Sequence, residues 1–157
     1  MLELNSTRWS ELSHAFGSAE DVPRLLEALS AYEGHQERAE LWYGLSALLC
    51  QEGVVSTAAY AAVPHLIAIT WGQDALERTA AMHLVVEIET ARQRPGSPPI
   101  PADLLVDYAA TVESLPARVH ELAAISWDVP TAQVMAAALL VGKRQPALAR
   151  AVLDLER

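Results

Sequence analysis

Val-Pro occurs three times in this chain, as Val22-Pro23, Val63-Pro64 and Val129-Pro130, each time ahead of helix-compatible residues such as VPRLLEAL and VPHLIAI. Proline has no backbone donor and its ring clashes with the preceding turn, so inside a helix it costs about 3 kcal/mol or more. In the first turn that donor has no intrahelical partner anyway. The recurrence therefore predicts that these prolines mark helix starts. Asp21 and Asp128 directly precede two of the pairs and are placed to cap the open amides. IPADLL at 100–105 is a close variant; LPARV at 115–119 and QPALARAVL at 145–153 are looser ones. By the same logic Pro64 divides the apolar stretch AAYAAVPHLIAI into two short helices or one kinked helix.

The rest of the chain reads as further helices and no strands. Trp9, Leu12 and Phe16 follow helical spacing up to Gly17, a C-cap candidate. Helices are predicted over 21–32, 36–50, 55–71 and 74–92, the last with Ala81, Leu84, Val85 and Ile88 on one face. The segment RQRPGSPPIP at 92–101 is a Pro-rich, mobile surface loop. Beyond it, helices are predicted over 102–114, 117–126, 130–141 and 146–156, with Gly142 closing the penultimate one. About eight helices make an all-α chain. Roughly 56 residues past the loop are too few for a second core, so 1–157 is read as a single domain.

Composition narrows the class. With 52% hydrophobic and 20% charged residues, the chain is not of the disordered kind. Eleven basic against twenty acidic residues leave a net charge of −9. That charge repels a phosphate backbone and attracts a basic protein. The apolar run from Val54 to Trp71 contains Ser56, Thr57, Pro64 and His65, and is read as core rather than membrane span. A lone Cys50 excludes an intrachain disulfide, and MLELNSTRWSELSH lacks a secretory pattern. A cytoplasmic location is expected.

Pro23 and Pro64 stand 41 residues apart, and Pro64 and Pro101 stand 37 apart. A two-helix unit of about 40 residues is the period of HEAT-type repeats; the 66 residues from Pro64 to Pro130 then require an inserted loop. The stretches WSELSHAFGSAEDVPRLLEAL and LWYGLSALLCQEGVVSTAAYAAVPHLIAI are similar to a group of small bacterial HEAT-like, armadillo-type helical proteins. The matching residues are Trp9, Leu12, His14 and Gly17, then Val22-Pro23, then Gly53, Val55, Ala58, Ala62, Val63, Pro64 and Leu66. The resemblance covers residues 9–70. It implies a short α–α superhelix and an accessory or immunity role in toxin loci, and it carries over no catalytic residue.

Candidate sites are few. His83 and Glu87 lie four apart on the 74–92 helix and share a face opposite its apolar stripe. Such a pair could bind a metal or act as a proton-transfer couple, but two ligands are too few for a metal, and a solvated or interfacial polar stripe is the leading reading. Trp71 and Trp127 sit at helix ends beside Gly72 and Asp128, where an indole either plugs the end of the core or, half-exposed, serves a protein interface. His83, Glu87, Trp71, Trp127 and Asp128 are therefore the candidate protein-binding residues. Trp9 and Trp42 are assigned to the core. His14 is placed at the chain reversal near Gly17, while His65, in a helix's first turn, and His120 with Glu121 are taken as exposed. Cys50 is a buried, inert thiol. G-x-S-x-G, H-E-x-x-H and Gly-rich phosphate loops are all missing from the sequence. No cofactor, metal or catalytic residue is expected.

Three functions compete: a protein-binding module for a basic partner, an enzyme on a HEAT-like scaffold, and a self-associating piece. Nucleic-acid chemistry requires Lys143, Arg144, Arg92, Arg94 and Arg78 to form one basic cleft. Self-association, as a homodimer, follows if the N-terminal end is unprotected; the charged, amphipathic ALARAVLDLER caps the other end.

Overall fold

A computed structural model of the chain describes residues 1–31 and 34–155, with His35 described by its backbone alone. Among them are seven α-helices: α1 (Val22–Ala31), α2 (His35–Leu49), α3 (Thr57–Thr70), α4 (Ala75–Ala91), α5 (Leu105–Glu121), α6 (Val129–Gly142) and α7 (Pro146–Leu153). The expected helix ends Tyr32 and Glu156 lie outside the described residues. The chain is mostly helical, and α3 is its centre. Ala58 to Val63, His65, Leu66 and Ile67 are all buried, and the helix touches α1, α4 and α5. Helices next but one in sequence also meet: α1 packs on α3 and α3 on α5, while α2 packs on α4 and α4 on α6.

Proline placement agrees with the sequence at three positions. Pro23, Pro130 and Pro146 lie in the first turns of α1, α6 and α7. Asp128 caps α6, accepting from the Thr131 amide at 2.9 Å. Asp21 instead turns to His14, with 3.1 Å between its carboxylate and Nε2. At Pro64 the chain forms one helix, α3, rather than two short ones. At Pro116 the expectation fails: α5 runs through it, so the predicted 102–114 and 117–126 helices are one. Burial overrides the local penalty: α3 is enclosed by α1, α2, α4 and α5 and gains more from packing than Pro64 forfeits in one hydrogen bond.

Pro116 also shapes its neighbour. A Cβ built at Gly142 of α6 stands 2.3 Å from Pro116 Cδ and 2.6 Å from Cγ. Only a glycine lets the two backbones approach this closely. Gly142→Ala is expected to destabilise by about 1–3 kcal/mol through overpacking, although alanine gains up to about 1 kcal/mol in helix propensity. A Cβ at Gly44, also helical, meets nothing within 4 Å, so Gly44→Ala is the matched control and should raise stability. Thermal unfolding of both variants checks the opposite signs.

Strands are present after all. Ser13–His14 (β1) pairs antiparallel with Gly17–Ser18 (β2), and Cys50–Gln51 (β3) pairs with Val54–Val55 (β4). Two-residue strands are too short to display alternation, which is why the sequence pattern misses them. The first hairpin replaces the predicted Trp9–Phe16 helix. A 3₁₀ turn over Thr7–Glu11 buries Trp9, the hairpin follows, and Phe16 is left 66% exposed at its turn. His14 holds that turn, its Nδ1 accepting from the Phe16 amide at 3.0 Å. The second hairpin turns at Glu52 (φ +50°) and Gly53 (φ +73°), the paired positive φ values of a type I′ turn.

The proline loop is tied at three points. Arg94 donates to the carbonyls of Gly53 at 2.9 Å and Glu52 at 3.4 Å, Ser97 to that of Ala91, and Tyr60 to that of Pro98 at 2.7 Å. Residues 1–8 are held similarly, by the Met1 ammonium on Asp107 and by Arg8 on Asp103.

His65, expected at the surface, is buried. Its Nε2–H donates to the Leu2 carbonyl at 2.7 Å, and its ring centre is 6.2 Å from that of Trp9. Burial pushes this imidazole below its ordinary value of 6.5, against the favourable bond to Leu2. Unfolded, the ring takes up its proton near 6.5; folded, only at lower pH. Stability is therefore complete above pH 6.5 and declines as the pH falls below it. Urea midpoints should fall between pH 7 and 5, and His65→Gln should flatten that slope.

Candidate functional site

Charge is distributed unevenly. Residues 20–52 contain seven carboxylates against two arginines, a net of −5 out of −9. Glu20, Glu27, Glu37 and Glu40, on and beside α1 and α2, are exposed. Tyr43, one turn beyond Glu40 on α2, is 81% exposed. Elsewhere several arginines meet carboxylates of the same chain. Arg8 binds Asp103 and Glu11, Arg92 binds Glu89, Arg144 binds Glu113 and Arg150 binds Asp154. Each pair cancels locally, so the negative field concentrates on the N-terminal helix pair.

Beneath this face, Arg38 of α2 is itself buried. It donates to Glu77 Oε2 of α4 at 2.8 Å and, through Nη1, to the Leu29 carbonyl of α1. Trp42 Nε1 meets the same Glu77 oxygen at 2.7 Å. Burial drives the Glu77 carboxyl upward, but these donors outweigh it and hold it below its ordinary range. The two acidic-face helices are thereby locked to α4.

The predicted binding residues do not form one site. His83 and Asp128 line a groove of about 320 Å³ between α4 and the α6–α7 end, beside Leu76, Pro130 and Leu153. Glu87 stands 3.8 Å from His83, and both side chains are solvated, which fits a polar stripe rather than a proton-transfer couple. Trp127 is partly buried and donates to the Leu122 carbonyl at 3.0 Å. Trp71 faces a different groove, with Pro64 and Asp107, and is flanked by two guanidiniums, Arg118 at 3.7 Å and Arg78 at 4.9 Å from its ring centre. Cys50 is buried, and burial raises its thiol to about 11, which suppresses the thiolate at neutral pH.

A second cleft, of about 420 Å³, lies between α4, α5 and the α6–α7 turn. The buried Glu89 carboxylate at its floor accepts from Arg92 Nε at 2.5 Å and Nη2 at 2.6 Å, from Tyr108 Oη at 2.7 Å and from Gln93 at 3.3 Å. Burial, then Glu89, pushes the Tyr108 hydroxyl well above its usual value, so it remains a donor. The ring stacks edge-on against Tyr60 at 5.2 Å. Sequence reasoning passed over this cluster. Glu89 and Arg92 are separated by a helical i, i+3 step, a visible signal, but Tyr108 joins them only through the packing of α5.

The cationic residues do not merge. Arg92 and Arg144 share that cleft beside Glu89 and Glu113, Arg94 is bound to the Glu52–Gly53 turn, and Arg78 is stacked on Trp71. Among the described residues no helix is long and apolar enough to cross a membrane, and no three His, Cys, Asp or Glu side chains converge as metal ligands. Comparison with protein-family models, with curated proteins and with solved structures gives no match.

Proposed function

We propose that this chain is a non-catalytic protein-binding module, a short α–α superhelix of the HEAT-like, armadillo kind, whose partner is a basic protein. An immunity-type inhibitor of a basic toxin is its most concrete form. The superhelical reading is supported by the two rows of helices, α1–α3–α5 and α2–α4–α6, in which each helix meets the next in its row. Such rows leave an extended surface for recognition. The observation that carries the partner assignment is the net −5 gathered between residues 20 and 52 around an exposed aromatic. Tyrosine is enriched among interface hot spots, and the acidic residues on the same helices would steer a basic partner's approach.

Co-purification with the products of the genes flanking its own is the test, repeated with the triple variant Glu27→Lys, Glu37→Lys, Glu40→Lys. All three positions are exposed, so the fold should survive. A complex that associates roughly tenfold or more slowly in the variant, and weakens steeply with salt, supports the reading. A complex indifferent to both, or none with any neighbour, overturns it.

A further inference from the structure

The cleft between α4, α5 and the α6–α7 turn plays no part in the acidic-face reading, yet it has the features of a small-molecule site. Its volume of about 420 Å³ falls within the range of ligand pockets, roughly 300–1,000 Å³. Ile100, Val112, Val141 and Pro146 give it apolar walls. Its polar lining is Glu89, Arg92, Gln93, Tyr108, Glu113 and Arg144; Arg92 lies over the Tyr108 ring at 6.0 Å and pairs with Glu89, and Arg144 pairs with Glu113.

The backbone at Arg144 is the telling detail. This residue follows the end of α6 with φ +60°, its amide bonded to the Val141 carbonyl and that of Gln145 to the Leu140 carbonyl. That is the left-handed helix stop for which glycine is the low-cost residue; a side chain there carries strain of about 1–2 kcal/mol. The long guanidinium is exposed at the mouth of the cleft, its side chain 83% accessible, and is held by Glu113 at 2.6 Å. An exposed pair of this kind is worth only about 0–1 kcal/mol, so a competing anion can exchange for Glu113. Arg92, by contrast, keeps Nε and Nη2 on Glu89, so only its remaining N–H groups could turn to a ligand.

We propose that this cleft binds a small organic monoanion with an apolar body, its acid group held by Arg144 and Arg92 and its chain lying along Val112, Val141 and Pro146. The probe is hexanoate, compared with hexanol and hexylamine, which share its length but not its charge. Binding is followed by amide NMR shifts of the full chain. Hexanoate should shift the amides of Ala109, Val112, Val141 and Arg144, with a dissociation constant on the order of 1 mM for so small a ligand. Hexanol and hexylamine should bind at least about fivefold more weakly.

Arg144→Gly separates ligand binding from structure. It relieves the strained backbone, so thermal stability should hold or rise, while hexanoate affinity falls by about fivefold or more. Ala109→Phe fills the cleft and should abolish the shifts; if that variant does not fold, Arg144→Gly alone decides. Equal binding of hexanol, shifts confined to another face, no shift at all, or unchanged affinity in Arg144→Gly would each overturn the proposal.

Discussion

Replacing Arg38 with methionine is expected to remove about 3–5 kcal/mol of folding free energy. The guanidinium is 3% exposed and joins three helices: it donates to Glu77 on α4 and to the last turn of α1 from its own place on α2. Without it, Glu77 remains as a buried carboxylate supported chiefly by the Trp42 indole. An unpaired buried charge is among the most expensive single defects. Urea denaturation at neutral pH measures the loss. The double variant Arg38→Met, Glu77→Leu should recover most of it, because removing both charges removes the desolvation cost as well.

The pH dependence follows from the direction in which Glu77 is displaced. Its carboxyl is held below the ordinary 4.5 in the folded protein, so its stabilisation is present above that value and is lost as the pH falls through the lower, folded one. In Arg38→Met those donors are reduced, burial raises the carboxyl instead, and the acid can protonate in place. The deficit of the variant should therefore shrink toward acidic pH. A deficit below about 1 kcal/mol at pH 7, or one that does not change with pH, would show that the pair holds nothing together.

Glu89→Ala is expected to cost about 3 kcal/mol or more. One carboxylate serves four donors from Arg92, Gln93 and Tyr108. Tyr108 is 1% exposed, so its hydroxyl cannot turn to water when that acceptor disappears. Glu89→Gln keeps one acceptor oxygen and should cost less than half as much. Tyr108→Phe removes the stranded donor, so adding it to Glu89→Ala should restore part of the loss rather than deepen it. Chemical denaturation of the four variants gives the cycle, and simple additivity would contradict the network.

Much of the helical order was legible because it rests on local rules. Pro23, Pro130 and Pro146 occupy first turns, Asp128 caps α6, and Gly142 ends it. Trp9 is buried, as its spacing with Leu12 suggested, and His14 secures the reversal near Gly17, the role the resemblance implied. The failures have a common cause. Pro64, Pro116 and His65 look locally like breaks or surface positions, but α3 is enclosed by its neighbours and the inner face of α5 packs on α3 and α6, and that burial outweighs one missing hydrogen bond or one buried imidazole. Phe16 fails in the opposite sense: its helical spacing is real, but a hairpin takes the segment and leaves the ring outside. The site residues divide the same way. His83 and Glu87 were placed correctly on one exposed face because four residues make one turn. Trp71 and Trp127 were grouped by type, and packing separates them.

Sequence alone determined the class of this chain: mostly helical, acidic, with several of its helix starts written in proline and aspartate. Those signals act over one turn and need no distant partner. Only the tertiary structure decided that Arg38 reaches Glu77 across 39 positions and that Tyr108 closes on Glu89. The same holds for the Arg144–Glu113 pair at the mouth of the cleft between α4, α5 and the α6–α7 turn. Contacts between helices depend on how whole faces pack, and no spacing rule along the chain encodes which buried charge will find which partner.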